Sequence, residues 1–203
     1  MYTFHILQSK LILLHIVMSC GKLSIITGPM WSGKTSELLR RYERAKLQQT
    51  PCILVKPSID NRYEKGYVVS HRPGLQCAAL VYPTISDLII EESLYASDIR
   101  KIFIDEIQFF PDKEQCLELL KSGIDVCVAG LNSNFMREMF AGMPTLFASA
   151  HSIDMLCAVC GVCNGDATQT ARTVQGGQGD IDVGGEEKYI ATCIKCHGLR
   201  NVL

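Results

Sequence analysis

The stretch Gly28 to Thr35 reads GPMWSGKT, and it sets the terms for the rest of the chain. Its ends fit G-x-x-x-x-G-K-[ST], the pattern of a glycine turn that wraps phosphate oxygens. Gly28 and Gly33 permit the tight turn, and successive N–H groups with the start of the next helix form an anion nest. Lys34 then reaches toward the β- and γ-phosphates, and Thr35 offers a hydroxyl to Mg2+. The pattern carries weight only between a strand and a helix, and both are legible. Residues 22–27, KLSIIT, form a short apolar run that predicts a buried strand. Residues 36–48, SELLRRYERAKLQ, space Leu38, Leu39, Tyr42, Ala45 and Leu47 at helical intervals with charges between them.

Working outward, three more apolar runs read as strands: CILVKP from Cys52, KIFID from Lys101 and DVCVAG from Asp125. Residues 113–122 read as a helix between the last two. Apolar strands separated by helical segments predict an α/β fold, a parallel sheet of the P-loop NTPase type with flanking helices on both faces. From Cys157 the composition turns to Cys, Gly and Thr, which predicts a small C-terminal subdomain stapled by metal. The expected division is an N-terminal extension over 1–18, a P-loop α/β domain over 19–150 and a metal-stapled subdomain over 151–203. The extension carries an apolar run, Leu11 to Met18, too short to span a bilayer and without the basic start and cleavage site of a secretion signal. Met18 offers a second start before the first strand.

The 203 residues are 47% hydrophobic, enough for a core, so a disordered chain is excluded. Lysine plus arginine total 20 against 21 acidic residues, which leaves no broad footprint for nucleic acid or acidic lipid. The chain has ten cysteines, several of them clustered near the C-terminus, and it also carries a nucleotide loop, so reduced thiols and a metal site in the cytoplasm fit better than a disulfide framework.

KIFIDE, Lys101 to Glu106, ends an apolar strand in two carboxylates. Asp105 suits the strand-end acid that supports Mg2+, and Glu106 suits a base that takes a proton from an attacking hydroxyl. Cys157-Ala-Val-Cys160 and Cys193-Ile-Lys-Cys196 are two C-x2-C pairs, a match for tetrahedral Zn2+. Cys160 with Cys163 makes an overlapping pair, and His197 is a further spare ligand. Phe109, Phe110, Phe135 and Tyr189 lie beside motif residues and serve either the core or a ligand.

Together these residues resemble the zinc-containing, cytosolic (type II) thymidine kinases, from about Gly21 to His197. GPMWSGKT is similar to that family's GPM-aromatic-SGK-[ST] loop, and DNRY at Asp60 to Tyr63 to its D-x-R-Y segment. DEIQFF at Asp105 to Phe110 resembles its DE-x-QFF signature. GLNSNFMREMF at Gly130 to Phe140 resembles the segment carrying a base-stacking phenylalanine. The cysteine pairs and GGEEKY at Gly184 to Tyr189 resemble its zinc subdomain and lasso loop.

The resemblance implies transfer of the ATP γ-phosphate to the 5′-hydroxyl of thymidine, and of deoxyuridine. It implies Glu106 as base, with Lys34 and Arg62 neutralising charge in the transition state. The ATP and Mg2+ site would take in Gly28, Pro29, Met30, Trp31, Ser32, Gly33, Lys34, Thr35, Asp60, Asn61, Arg62, Asp105, Glu106, Ile107 and Gln108. The nucleoside would meet Met30, Phe109, Leu131, Phe135 and Thr170, under a lasso of Asp180, Ile181, Asp182, Val183 and Gly184 with Tyr189. Structural Zn2+ on Cys157, Cys160, Cys193 and Cys196 would pin the ends of the lasso, which is glycine-rich between Gly176 and Gly185. Backbone groups there would pair with the fixed edge of thymine and reject cytosine, whose edge would leave them mispaired. A homotetramer and feedback binding of dTTP follow as expectations, with no stable nucleic-acid partner and no membrane. Trp31 stands where the family has Phe or Tyr, Asn132 where it often has Asp, and the span from Cys160 to Cys193 is longer than usual. The competing reading is a P-loop ATPase that grips nucleic acid with a zinc ribbon. Few basic residues (Lys188, Lys195, Arg200) surround the cysteines, which weighs against it. A third, a degenerate binding protein without catalysis, conflicts with the presence of Lys34, Thr35, Asp105 and Glu106.

Overall fold

The structure, a computed structural model, describes residues 20–60, 66–70, 74–173 and 187–200. The extension before Cys20, Asn61 and Arg62, and the expected lasso at 180–184 lie outside these residues.

Six parallel strands form one sheet. They are β1 (Leu23–Gly28), β2 (Cys52–Pro57), β5 (Leu80–Tyr82), β6 (Lys101–Ile104), β7 (Asp125–Leu131) and β8 (Ser152–Met155), ordered β5-β2-β6-β7-β1-β8. A short antiparallel pair, β3 (Tyr67–Val69) with β4 (Gln76–Ala78), stands apart from the sheet. The helices are α1 (Lys34–Leu47), α2 (Ile85–Glu91), α3 (Cys116–Lys121), α4 (Met143–Ser149) and α5 (Ile194–Arg200).

Side-chain alternation along the strands explains why both faces need cover. Ile25, Val55, Ile102, Ile104, Val126 and Val128 bury one face against Leu88 of α2, Leu119 of α3 and Leu146 of α4. Ile26, Leu54, Phe103, Cys127 and Ala129 bury the other against Leu38, Leu39 and Ala45 of α1. The continuous apolar strands are thus those of a doubly covered parallel sheet. The helix expected over 113–122 is divided: a 3-10 turn over Lys113–Gln115 precedes α3.

The C-terminal unit is built differently. Two small antiparallel ladders, β9 (Ala158–Val159) with β10 (Asp166–Ala167) and β11 (Gln169–Arg172) with β12 (Tyr189–Thr192), lead into α5. Its buried apolar cluster is Ala158, Cys160, Ala167, Ala191 and Cys196, with Trp31 and Cys193 against it. So few and such small side chains cannot hold a fold by burial alone.

Candidate functional site

In a parallel sheet all carboxyl ends share one edge, and ligands bind beyond it. Register puts Gly28 beside Leu131 and Ile104 beside Val128, so the loops after β1, β6 and β7 converge.

The loop after β1 turns at Gly28, whose φ of 145° is open to glycine; a Cβ there would sit 2.3 Å from the Leu156 carbonyl oxygen. Inside the loop, the Ser32 hydroxyl and the Lys34 ammonium both donate to the Pro29 carbonyl, at 2.9 and 2.6 Å. Trp31 adopts a left-handed φ of 61°, a strained setting for a bulky residue and one concentrated at functional sites. Its indole packs on the cluster of the C-terminal unit. The Met30 N–H donates to the Thr170 hydroxyl at 3.1 Å. The phosphate loop is therefore docked directly on β11.

Thr35, in the first turn of α1, donates to both carboxylate oxygens of Asp105, at 3.3 and 3.2 Å. A hydroxyl and a carboxylate this close form a hard oxygen donor set of the kind Mg2+ takes beside phosphates. Glu106 follows with a left-handed φ of 51°. Its carboxylate accepts from the Gln108 amide at 2.5 Å, and the Gln108 oxygen accepts from the Leu131 N–H at 3.1 Å. Gln108 is buried, so the chain of bonds fixes Glu106 from behind. Gly130 makes room for it: a Cβ there would meet the Gln108 oxygen at 2.7 Å and the Ile107 methyl at 2.6 Å.

Ile107 corrects an expectation. Its side chain is fully buried in the sheet core and is not available to touch ATP. Phe110 is buried in the same cluster, whereas Phe109 is half-buried. Asp60 is buried and pairs with Lys56 at 3.2 Å; that ammonium also donates to the Tyr67 carbonyl at 3.3 Å. Lys56 was not singled out in the sequence, although a lysine inside an apolar strand run is a signal of a buried pair.

The metal site brings a second correction. Among the described residues, the four thiols that cluster are Cys160, Cys163, Cys193 and Cys196, with sulfurs within 4.8 Å of one another. Cys157 is exposed and outside the cluster, because it precedes β9 while Cys160 and Cys163 sit on the turn between β9 and β10. Zinc–sulfur bonds of about 2.3 Å at tetrahedral angles separate sulfurs by about 3.8 Å. Cys163 and Cys193 stand 3.8 Å apart, so the donor set fits Zn2+. Burial pushes the Cys160 thiol up, but the N–H groups of Cys163, Cys193 and Val162 outweigh it and bring it down to about 6. The hydrogen bond to Cys193 pushes Cys196 up to about 12. Thiols this close cannot all ionise unless a cation joins them. His197 is not part of the cluster; its Nε2 stands 2.9 Å from the Phe135 carbonyl oxygen.

Of the expected nucleoside residues, Met30 and Thr170 are joined by the hydrogen bond already described. Leu131 ends β7, Phe135 follows on the next loop, and Thr170 and Tyr189 come from β11 and β12. Arg172, absent from the sequence reading, lies over the Phe135 ring at 4.7 Å and near the Tyr189 ring at 6.0 Å.

Among the described residues no helix is long and apolar enough to cross a membrane. The family model for thymidine kinase matches residues 21–197. A thymidine kinase of Thermococcus kodakarensis is 40% identical over 186 aligned residues, covering 87% of this chain and 94% of the relative.

Proposed function

The chain belongs to the thymidine kinase family, of the zinc-containing type, and from that premise we propose how its residues divide the reaction. The enzyme transfers a phosphoryl group from ATP to the 5′-hydroxyl of thymidine. The observation that carries the assignment of roles is the relay from Leu131 through Gln108 to Glu106. It holds one carboxylate in a strained, fixed pose where the loops of β1, β6 and β7 meet.

Glu106 accepts the proton of the nucleoside 5′-hydroxyl as that oxygen attacks the γ-phosphorus. Residues 28–35 wrap the triphosphate, with Lys34 leaving Pro29 to meet phosphate oxygens. Thr35 and Asp105 would hold Mg2+, which would supply neutralisation of phosphate charge when bound. Asp60, held by Lys56, is assigned to the phosphates, and the family resemblance assigns Asn61 and Arg62 the same role. Phe109, Leu131, Phe135, Met30 and Thr170 enclose the base, and the family resemblance assigns residues 180–184 with Tyr189 the role of a lasso that excludes water. The working division is a P-loop kinase domain over 19–150 and a zinc-binding and lasso subdomain over 151–203, with β8 of the second range pairing into the sheet of the first. Deoxyuridine shares the edge of thymine and is a second substrate. A tetramer inhibited by dTTP, in the cytoplasm, completes the reading.

The test supplies ATP, Mg2+ and each deoxynucleoside separately and measures the 5′-monophosphate. Thymidine and deoxyuridine give product; deoxycytidine and the purine nucleosides do not. Glu106→Gln lowers turnover by about 10²- to 10⁴-fold with ATP binding kept. Intact turnover in that variant removes Glu106 from the mechanism.

A further inference from the structure

Phe135 is touched from the C-terminal unit at two points the mechanism above does not use. Its ring lies under the Arg172 guanidinium, 4.7 Å from the centroid, and that guanidinium also faces the Tyr189 ring at 6.0 Å. Its carbonyl oxygen meets His197 Nε2 at 2.9 Å across 62 positions of sequence. A carbonyl only accepts, so the imidazole donates from Nε2. His197 is fully buried and follows Cys196 of the thiol cluster.

We propose that Arg172 and His197 are positioning residues for the nucleoside: together they clamp Phe135, ring and backbone, to the frame of the zinc unit. The inference rests on the reading of Phe135 as a nucleoside contact.

The chemistry of each group suits the part. The loop bearing Phe135 is shaped locally: the Asn134 side-chain oxygen accepts from the N–H groups of Met136 and Glu138, each at 2.9 Å. That turn fixes the loop's form but not its place against β11, which lies on a separate ladder. His197 supplies the place. Arg172 supplies the ring orientation, since a planar, permanently charged guanidinium lies well on an aromatic face. It covers one face of the Phe135 ring, which is half-buried. Thr170 and Arg172 share one side of β11 by the two-residue repeat of a strand. Thr170 accepts from Met30 of the phosphate loop, while Arg172 reaches Phe135. One strand face therefore sets the distance between the ATP loop and the ring that takes the base.

The test compares Phe135→Ala, Arg172→Met, His197→Leu and His197→Gln as full chains with zinc content measured. Thymidine affinity is followed by KM and by calorimetry, and ATP by its own KM. Arg172→Met raises KM for thymidine by about 5- to 30-fold, and His197→Leu by about 10-fold. KM for ATP and zinc content stay within about twofold, a change under about 0.4 kcal/mol by RT ln 2. His197→Gln, which keeps an N–H at a similar reach, stays near the parent enzyme and decides the histidine's role even where the leucine variant fails to fold. Adding Arg172→Met to Phe135→Ala changes nothing further, because the clamp acts through that ring. An unchanged or lower KM for thymidine in Arg172→Met and His197→Leu overturns the clamp, as does a full extra loss in the Phe135→Ala background. If Phe135→Ala itself leaves thymidine affinity intact, it is the placement of Phe135 in the pocket that fails.

Discussion

The two halves of the site are held by different physics. The ATP half hangs from a sheet whose faces are filled by Ile, Val, Leu and Phe on both sides. The C-terminal part of the nucleoside half hangs from two short ladders whose buried apolar cluster is three alanines and two cysteines of the thiol cluster. The first is stable by burial, which is diffuse and tolerant; the second depends on a few thiols, which are local and all-or-none. The difference teaches that ATP binding and nucleoside binding can be separated by perturbing one half at a time.

Removal of zinc is the largest perturbation, because metal binding in small structural sites is worth about 10–16 kcal/mol. Cys160→Ser or Cys163→Ser lowers the zinc content and exposes the backbone amides of 157–172 and 187–197 to hydrogen exchange, while β1, β6 and β7 stay protected. Equal loss of protection in both halves would erase the distinction drawn between them.

On the sheet side, Lys56→Met takes the cation away from a carboxylate buried to 5% exposure. Breaking such a pair costs about 3–5 kcal/mol, and the low end applies because Asp60 has further contacts. Denaturant unfolding should show it, with zinc content unchanged.

A smaller effect reports on the joint between the halves. Glu37 accepts from Arg40 and Arg41, and Arg41 also donates to Asp154 at 2.9 Å on β8, the strand that leads into the metal unit. The hydrogen bond from Arg40, then those of Arg41 working against burial, lower Glu37 from 4.5 to about 2. A carboxyl lowered on folding stabilises the fold above its unfolded value and loses that contribution as pH falls from 4.5 to about 2. Solvent screening of this partly exposed group leaves about 1 kcal/mol. Stability measured across that range should therefore fall more steeply in the parent than in Glu37→Gln. The smallest effect belongs to Cys157→Ser, which should leave zinc content unchanged.

That last variant marks a limit of what the sequence could say. CAVCGVC offers two overlapping C-x2-C pairs at equal spacing, and only the β9–β10 turn selects the second. The four central strands and α1 were legible because each is a long apolar or periodic run. The edge strands were not: Leu80–Tyr82 is three residues long, and Ser152–Met155 leaves Ile153 and Met155 about half exposed. Glycine loop, strand-end acids and Gln108 were readable as motifs, since their chemistry fixes their spacing. The contacts of Arg172 and His197 with Phe135 were not, because partners far apart in sequence leave no local pattern; His197 and Phe135 are separated by 62 positions.

The most direct test of the division between the halves is calorimetric titration of Cys163→Ser, separately with ATP and with thymidine. The account predicts ATP affinity within about threefold of the parent and thymidine affinity lowered by more than about 10-fold, a gap above 1.4 kcal/mol. Equal retention or equal loss of both ligands would contradict it.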